Sequence, residues 1–322
     1  LAGLSLVVGG AAAQTVSIGT LPQGSLAYGI ASAAAKVMSD KGGLTTRAVG
    51  FGGSNIFIPQ VNQGRIEMST ANAIEAHFAK DGTGTFPGRP NPNLRALARL
   101  FSFQTGFMVK KDSNFQKLTD FKGQSFPSGF TSQKIVEVLV RAAFDTEGMS
   151  WNDIKPVPVP NFVRGTDELV SGKVVASFLA PGSALVRKAN AAVKIRFLSL
   201  DATPAKLAKM RAVAPGSFFA TVKPSKRMPY IEKPTTMIGF DYLLLVGKHV
   251  SDEIYNTLLV GAEAISDDDA YALAKTLYDN WETMQKNIGQ LRSVPKDKLP
   301  LATSSIPYHA GAVKFYKEAG VL

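Results

Sequence analysis

Two hydrophobic periods alternate along this chain. "TVSIGT" at 15–20 is apolar at every second position, the period of a half-buried strand. "LPQGS" breaks it, and "LAYGIASAAAKVMSD" then spaces Leu26, Ile30, Ala33 or Ala34, and Val37 as one helical face that stops at Gly42-Gly43. "LTTRAVG" predicts a second strand, "FGGSN" a turn, "IFIPQVNQG" a short helix interrupted by Pro59, and "RIEMSTAN" a third strand. A β-α-β-α-β run of this kind implies a parallel sheet with right-handed crossovers.

After a loop at 82–93, "LRALARLFSFQTGFMVKK" reads as one or two strands, and a second series begins near 107. It contains a strand at about 124–127 and a helix with Ile135, Val136, Leu139, Val140 and Ala143 on one face. "IKPVPVPN", a helix in "VRGTDELVSGK" and a strand in "VVASFLA" follow, and the series ends near 200. "TTMIGFDYLLLVGK" (235–248) is a strand pair or one long strand. "SDEIYNTLLVGAEAIS" and "DDDAYALAKTLYDNWETMQKNIG" predict helices, with acids placed to suit the positive N-terminal end. The expected architecture is α/β, two lobes joined by two crossing strands: 14–106 with 236–322 as one lobe and 107–235 as the other. A ligand would bind where loops and helix N-termini meet between the lobes.

Composition narrows the chemistry. With 322 residues, 45% of them hydrophobic, the chain can bury one large core or two smaller ones. The net charge of +11 suits anionic small molecules or an anionic surface, or is simply a solvated basic surface. The basic residues form no run, which argues against nucleic acid. There is no cysteine, so disulfides, thiolate nucleophiles and cysteine metal sites are excluded. His77, His249 and His309 lie far apart, without a local ligand pair, and no metal or cofactor is expected. "LAGLSLVVGGAAAQ" has the small residues of a signal-peptidase site, and residues 1–13 read as the remnant of a signal peptide on an exported protein. No stretch reaches the 18 or so apolar residues of a membrane span.

Four turns join a strand to a helix and are rich in Gly and small polar residues: 19–25, 52–55, 129–133 and 180–183. The unpaired N–H groups at a helix start, together with its dipole, can hold a carboxylate or phosphate. Ser25, Ser54, Ser132 and Ser183 can equally be plain N-caps. No GxxxxGK[ST], GxGxxG or GxSxG is present, so neither a nucleotide site nor a hydrolase elbow is indicated and no enzyme is expected.

Taken in order, "SIGTLPQGSLAYGIASAAAKVMS", "GFGGSNIFIPQVNQGRIEMSTAN", "GFTSQKIVEVLVRAAF", "ELVSGKVVASFLAPGSAL" and "IPYHAGAVKFYKEAGVL" resemble the TAXI solute-binding proteins, the extracytoplasmic components of TRAP transporters. The likeness covers nearly the whole chain after residue 13, and the last stretch is its most specific part. It implies a type II periplasmic binding-protein fold and a monomer that closes around an amino or keto dicarboxylate such as glutamate or 2-oxoglutarate. It also implies delivery of that solute from the periplasm to an ion-driven permease. The alternative is a ligand-sensing protein that signals to a partner. Leu21-Pro22, Phe51, Phe130 and Thr131 stand where the family pattern is smaller or more polar. The pocket is therefore expected to be bulkier and more apolar, fitting a carboxylate with a hydrophobic or smaller body.

The expected ligand residues follow from the turns. Thr131 and Ser132 would hold a carboxylate, with Gln133, Ser54, Asn55 and Asn72 as polar contacts and Gln23 and Tyr28 closing the site. Thr20, Ser25, Pro181, Gly182 and Ser183 complete the turns, and Phe130 would set ligand preference. Arg99 and Arg164 are the candidates for a basic side chain that pairs with the ligand charge.

Overall fold

The computed structural model describes residues 15–247, 265–300 and 306–322. The proposed signal remnant, His249 and most of the helix expected from "SDEIYNTLLVGAEAIS" lie outside them.

The first lobe is built as the hydrophobic pattern implies. Strand β1 (Val16–Thr20) pairs in parallel with β2 (Thr46–Gly50) and β3 (Met68–Asn72), with Ile18 opposite both Ala48 and Met68. Helix α1 (Leu26–Gly42) makes the first crossover, burying Ile30, Ala34 and Val37, and it ends at Gly43 in the left-handed region. Helix α2 (Ser54–Asn62) runs through Pro59, contrary to the expected break. Pro59 is the sixth of its nine residues; it costs the helix one backbone hydrogen bond, and only three residues follow it. Directly after β3 comes α3 (Ala73–Asp81), which the hydrophobic pattern did not single out.

Strand β4 (Leu94–Lys110) is a single long strand. It lies antiparallel to β10 (Thr235–Gly247), with Tyr242 opposite Phe101 and Ile238 opposite Thr105. These two strands serve both lobes. Toward its C-terminus β10 pairs with β3, while its N-terminal part pairs with β9 (Phe218–Val222). The far end of β4 pairs with β7 (Ala176–Leu179) and β8 (Ile195–Phe197). A separate parallel pair, β5 (Ser125–Ser128) and β6 (Lys155–Pro158), extends the second lobe.

Helices α4 (Lys134–Thr146), α5 (Phe162–Ser171), α6 (Ala184–Val193) and α7 (Pro204–Val213) clothe that lobe. Its core is aromatic: Phe107 packs on Phe121, Phe126, Phe144 and Phe178. Helices α8 (Asp267–Asp279), α9 (Trp281–Asn287) and α10 (Ala310–Glu318) return to the first lobe, where Trp281 and Tyr316 are fully buried. Ser266 caps α8 and its three first-turn acids lie at the N-terminal end, as the sequence implies. The most family-like stretch is a structural joint. His309 Nδ1 accepts from the Gly311 amide, and Gly311 abuts the Asp267 carbonyl so closely that a Cβ would lie 1.9 Å from that oxygen.

Candidate ligand-binding cleft

The glycine-rich turns converge on the space between the lobes, and their first use is to bring the lobes together. Gly24, at a positive φ of 84°, offers its carbonyl to the amides of Ala184 (3.0 Å) and Leu185 (3.3 Å). The N-terminal N–H groups of α6 are therefore committed to the opposite lobe, not held free for an anion. On the other side of the cleft Asn161 Nδ2 donates to the Gly52 carbonyl at 3.3 Å, and Gly53 packs on the Ser132 carbonyl. The lobes thus touch through backbone on both flanks, a closed arrangement.

They enclose a narrow cavity of ≈ 60 Å³. Its walls are mostly apolar, with Phe57, Phe103, Phe162, Phe178 and Phe240 the largest contributors. The polar floor belongs to the first lobe. Thr20 and Thr70 share a hydrogen bond of 2.8 Å between their hydroxyls, and Tyr242 donates to Thr70 at 3.2 Å. Burial raises the Tyr242 phenol well above its ordinary range. Asn72 caps α3 by accepting from the Glu75 amide at 2.7 Å.

Glu75 is the ionisable carboxyl of this floor. It is 1% exposed, and burial pushes its pKa up to about 7, an effect the neighbouring Ser54 hydroxyl partly opposes. In this geometry neither Glu75 Oε1 nor Ser54 Oγ completes a hydrogen bond, and Thr105 Oγ1, also on the cavity wall, has no partner among the described residues. Among the described residues no Lys or Arg lines the cavity. Arginines gather instead in an adjoining groove, which shares Ser25 and Leu26 with the cavity. Arg187, Arg227 and Arg292 border a wider groove of ≈ 610 Å³ that includes Tyr28 and Gly182.

Of the residues expected from sequence, Ser25, Ser54, Asn72, Gln133 and Ser183 line the cavity, and Thr20 stands behind Thr70. Ser25 and Ser183 are also N-caps, accepting from the amides of Tyr28 and Val186. Tyr28 and Gly182 border the adjoining groove, and the exposed Gln23 donates to the Tyr28 hydroxyl at 3.2 Å. Pro181 is buried outside the cavity, with its carbonyl accepting from Tyr230 at 2.6 Å.

Other expected residues lie elsewhere. Thr131, from the turn at 129–133, and Asn55, from the start of α2, border an outer groove beside Lys134 and Arg141. Ser132 meets Gly53 through backbone, and its amide donates to Pro160. Phe130, held at a positive φ of 34°, is buried and does not reach the cavity. Neither arginine meets the cleft. Arg99 pairs with Asp241 at 2.7 Å and Arg164 with Glu168 at 2.6 Å, so each guanidinium is drawn to a carboxylate of the protein itself.

Sequence reasoning missed Glu75, Thr105 and the phenylalanine walls. One pattern could have found Glu75: Asn72-x-x-Glu75 has the spacing of a capping box immediately after a predicted strand. Among the described residues no helix is long and apolar enough to cross a membrane, and no His/Asp/Glu group is disposed to hold a metal ion.

Comparison with known proteins agrees with this architecture. The sequence profile of the NMT1-like family matches residues 18–259 and 254–320. Among solved structures, the periplasmic binding protein BugD superposes with a TM-score of 0.57 at 11% identity, over 95% of this chain and 98% of that one. MatC from Rhodopseudomonas palustris, with bound malate, gives 0.53 at 13% identity, over 86% and 88%. A structure described as a periplasmic transporter gives 0.52 at 16% identity, over 95% and 92%. The fold is the type II periplasmic binding-protein fold.

Proposed function

The chain belongs to the NMT1-like family, and from that premise we propose that it is the solute-binding component of a membrane transporter. It captures a small organic solute between its lobes and presents the closed complex to a permease in the periplasm. One observation carries this reading: a narrow, mostly apolar cavity with a buried polar floor between the lobes, flanked by hydrogen bonds such as Ala184 N to Gly24 O that link one lobe to the other. Such contacts form only on closure, so a solute that fits the closed state shifts the population toward it. The hinge lies where β4 and β10 pass between the lobes, with lobe boundaries near residues 106 and 236.

The finer reading is a TRAP-type permease as partner and an organic acid as solute. The resemblance of the five stretches supports the first. Malate in the similarly folded MatC supports the second, as do the three arginines of the adjoining groove, which would draw anionic solutes toward the cleft. No basic side chain of the described cavity would hold the acid, so donors at the starts of α2 and α4 would have to do so. Binding without turnover is the expected behaviour, and the working form is a monomer.

Native mass spectrometry of the purified protein, followed by identification of small molecules released on denaturation, tests this. A stoichiometric solute that raises Tm when added back is the expected result. If no solute is released and a broad metabolite panel leaves Tm unchanged, the capture reading fails.

A further inference from the structure

The polar floor of the cavity holds a chemical asymmetry. Five phenylalanines and aliphatic side chains make most of its wall, a carboxyl is its ionisable acid, and the described lining contains no cation to balance it. Glu75 is buried with Oε1 unpartnered and Oε2 accepting only a long bond of 3.4 Å from Asn72 Nδ2, and the hydroxyls of Ser54 and Thr105, which line the same cavity, are unpartnered too. A buried carboxylate needs donors or a counter-charge. A ligand carboxylate placed against it would meet a like charge, whereas an ammonium brings three N–H donors and the opposite charge.

We infer that the cavity selects a solute with an apolar body and one amino group, and that the amino group docks on the Glu75 carboxylate. This rests on the solute-capture reading above and specifies the chemistry of its site. The aromatic walls take the apolar body, and the hydroxyls of Ser54 and Thr105, which also line the cavity, can accept further N–H bonds. An apolar amino acid satisfies both this description and the organic-acid reading, with its carboxylate facing the donors at the starts of α2 and α4; a simple aliphatic or aromatic amine satisfies this description alone.

The surroundings leave Glu75 as the titrating partner. From β10 the facing group is Tyr242, a phenol held neutral by burial. Strand β3 and helix α2 contribute no ionisable side chain. On α3 itself, His77 and Lys80 both pair with Asp81. On α4, Lys134, Glu137 and Arg141 line the outer groove, and on β4 Arg99 is paired with Asp241. An amine must meet the ionised carboxylate, so binding should strengthen as the carboxyl loses its proton. A carboxylic acid sharing the proton of Glu75 would behave in the opposite way.

Calorimetric titration of the full chain at pH 6 and pH 8 tests this with L-leucine, isoamylamine and 2-phenylethylamine against 4-methylpentanoate and 3-phenylpropanoate. The expected result is binding of amine-bearing probes, roughly tenfold tighter at pH 8, since the ionised fraction of a group titrating at about 7 changes by about that factor. The two acids without an amino group should bind at least tenfold more weakly. Leucine against isoamylamine separates an amino acid from a free amine. Glu75→Gln should abolish the preference for the amine while circular dichroism stays native; if that variant does not fold, the pH dependence of the wild-type chain decides. Acids that bind as tightly as the amines, or tighter at pH 6, would overturn the inference and leave solute capture standing. Failure of every solute class to bind would overturn both.

Discussion

Gly53 and Ser132 meet across the cleft so closely that a Cβ on Gly53 would lie 1.5 Å from the Ser132 carbonyl oxygen. The backbone of Gly53 is extended, at φ −176° and ψ 161°, a conformation open to any residue. Glycine is therefore required here by the approach of the other lobe, not by its own dihedrals. Gly53→Ala should leave the lobes folded but unable to reach this closed state. Solute affinity should fall at least tenfold, because the binding-competent fraction shrinks. Small-angle scattering with added solute, together with calorimetry, checks this, and a variant that still compacts and binds normally would contradict it.

Glu75 predicts a pH-dependent stability in the solute-free protein. Its carboxyl titrates near 4.5 when unfolded and at about 7 when folded, so between these values the folded state holds the extra proton. The associated stability is complete below the unfolded value and is lost as pH rises through about 7, on the order of 3 kcal/mol in all. Urea unfolding should find Glu75→Gln more stable than the wild type at pH 8.5, with the gap closing toward pH 4.5. Parallel profiles for the two proteins would refute the assignment.

Phe130 is a core residue of the second lobe. Phe130→Ser should destabilise the protein by about 3–5 kcal/mol, as removal of a buried aromatic ring does. The ranking of solutes should not change. A selective change in solute preference at unchanged Tm would return this residue to the binding site.

The ion pair of Arg99 and Asp241 is partly buried, with the arginine side chain 12% exposed. Asp241→Asn removes the charge facing that guanidinium and should cost about 1–3 kcal/mol. Solute affinity should stay within about twofold, since neither residue lines the cavity. A larger loss of affinity at unchanged stability would show that Arg99 reaches the ligand.

How far could this be read from the chain? The parallel β1–β2–β3 unit was legible because period-2 and period-3.6 burial alternate there between glycine-marked turns. The long strands β4 and β10 were legible as apolar runs, although not as strands that both lobes share. Ser25, Ser54 and Ser183 line the cavity, because α/β topology sends such turns to one edge of a sheet. The turn at 129–133 is split: Gln133 lines the cavity, while Thr131 borders the outer groove and Phe130 is buried. Phe130 adopts a positive φ, and that rotation turns Thr131 outward and Phe130 inward, which no spacing rule expresses.

What the sequence determined by itself was local: period, caps, turn residues and the two-lobe order that follows from them. Only the tertiary structure decided the character of the cleft. Whether Arg99 served a ligand depended on a distant partner, Asp241 on another strand, since a charge pairs with whatever the fold brings within a few ångströms, whereas Arg164 pairs with Glu168 one turn along its own helix. The weight of Glu75 likewise came from the fold. A carboxyl on a short helix is unremarkable in sequence and becomes the cavity's acid only once β3, β10 and the opposite lobe have removed it from water.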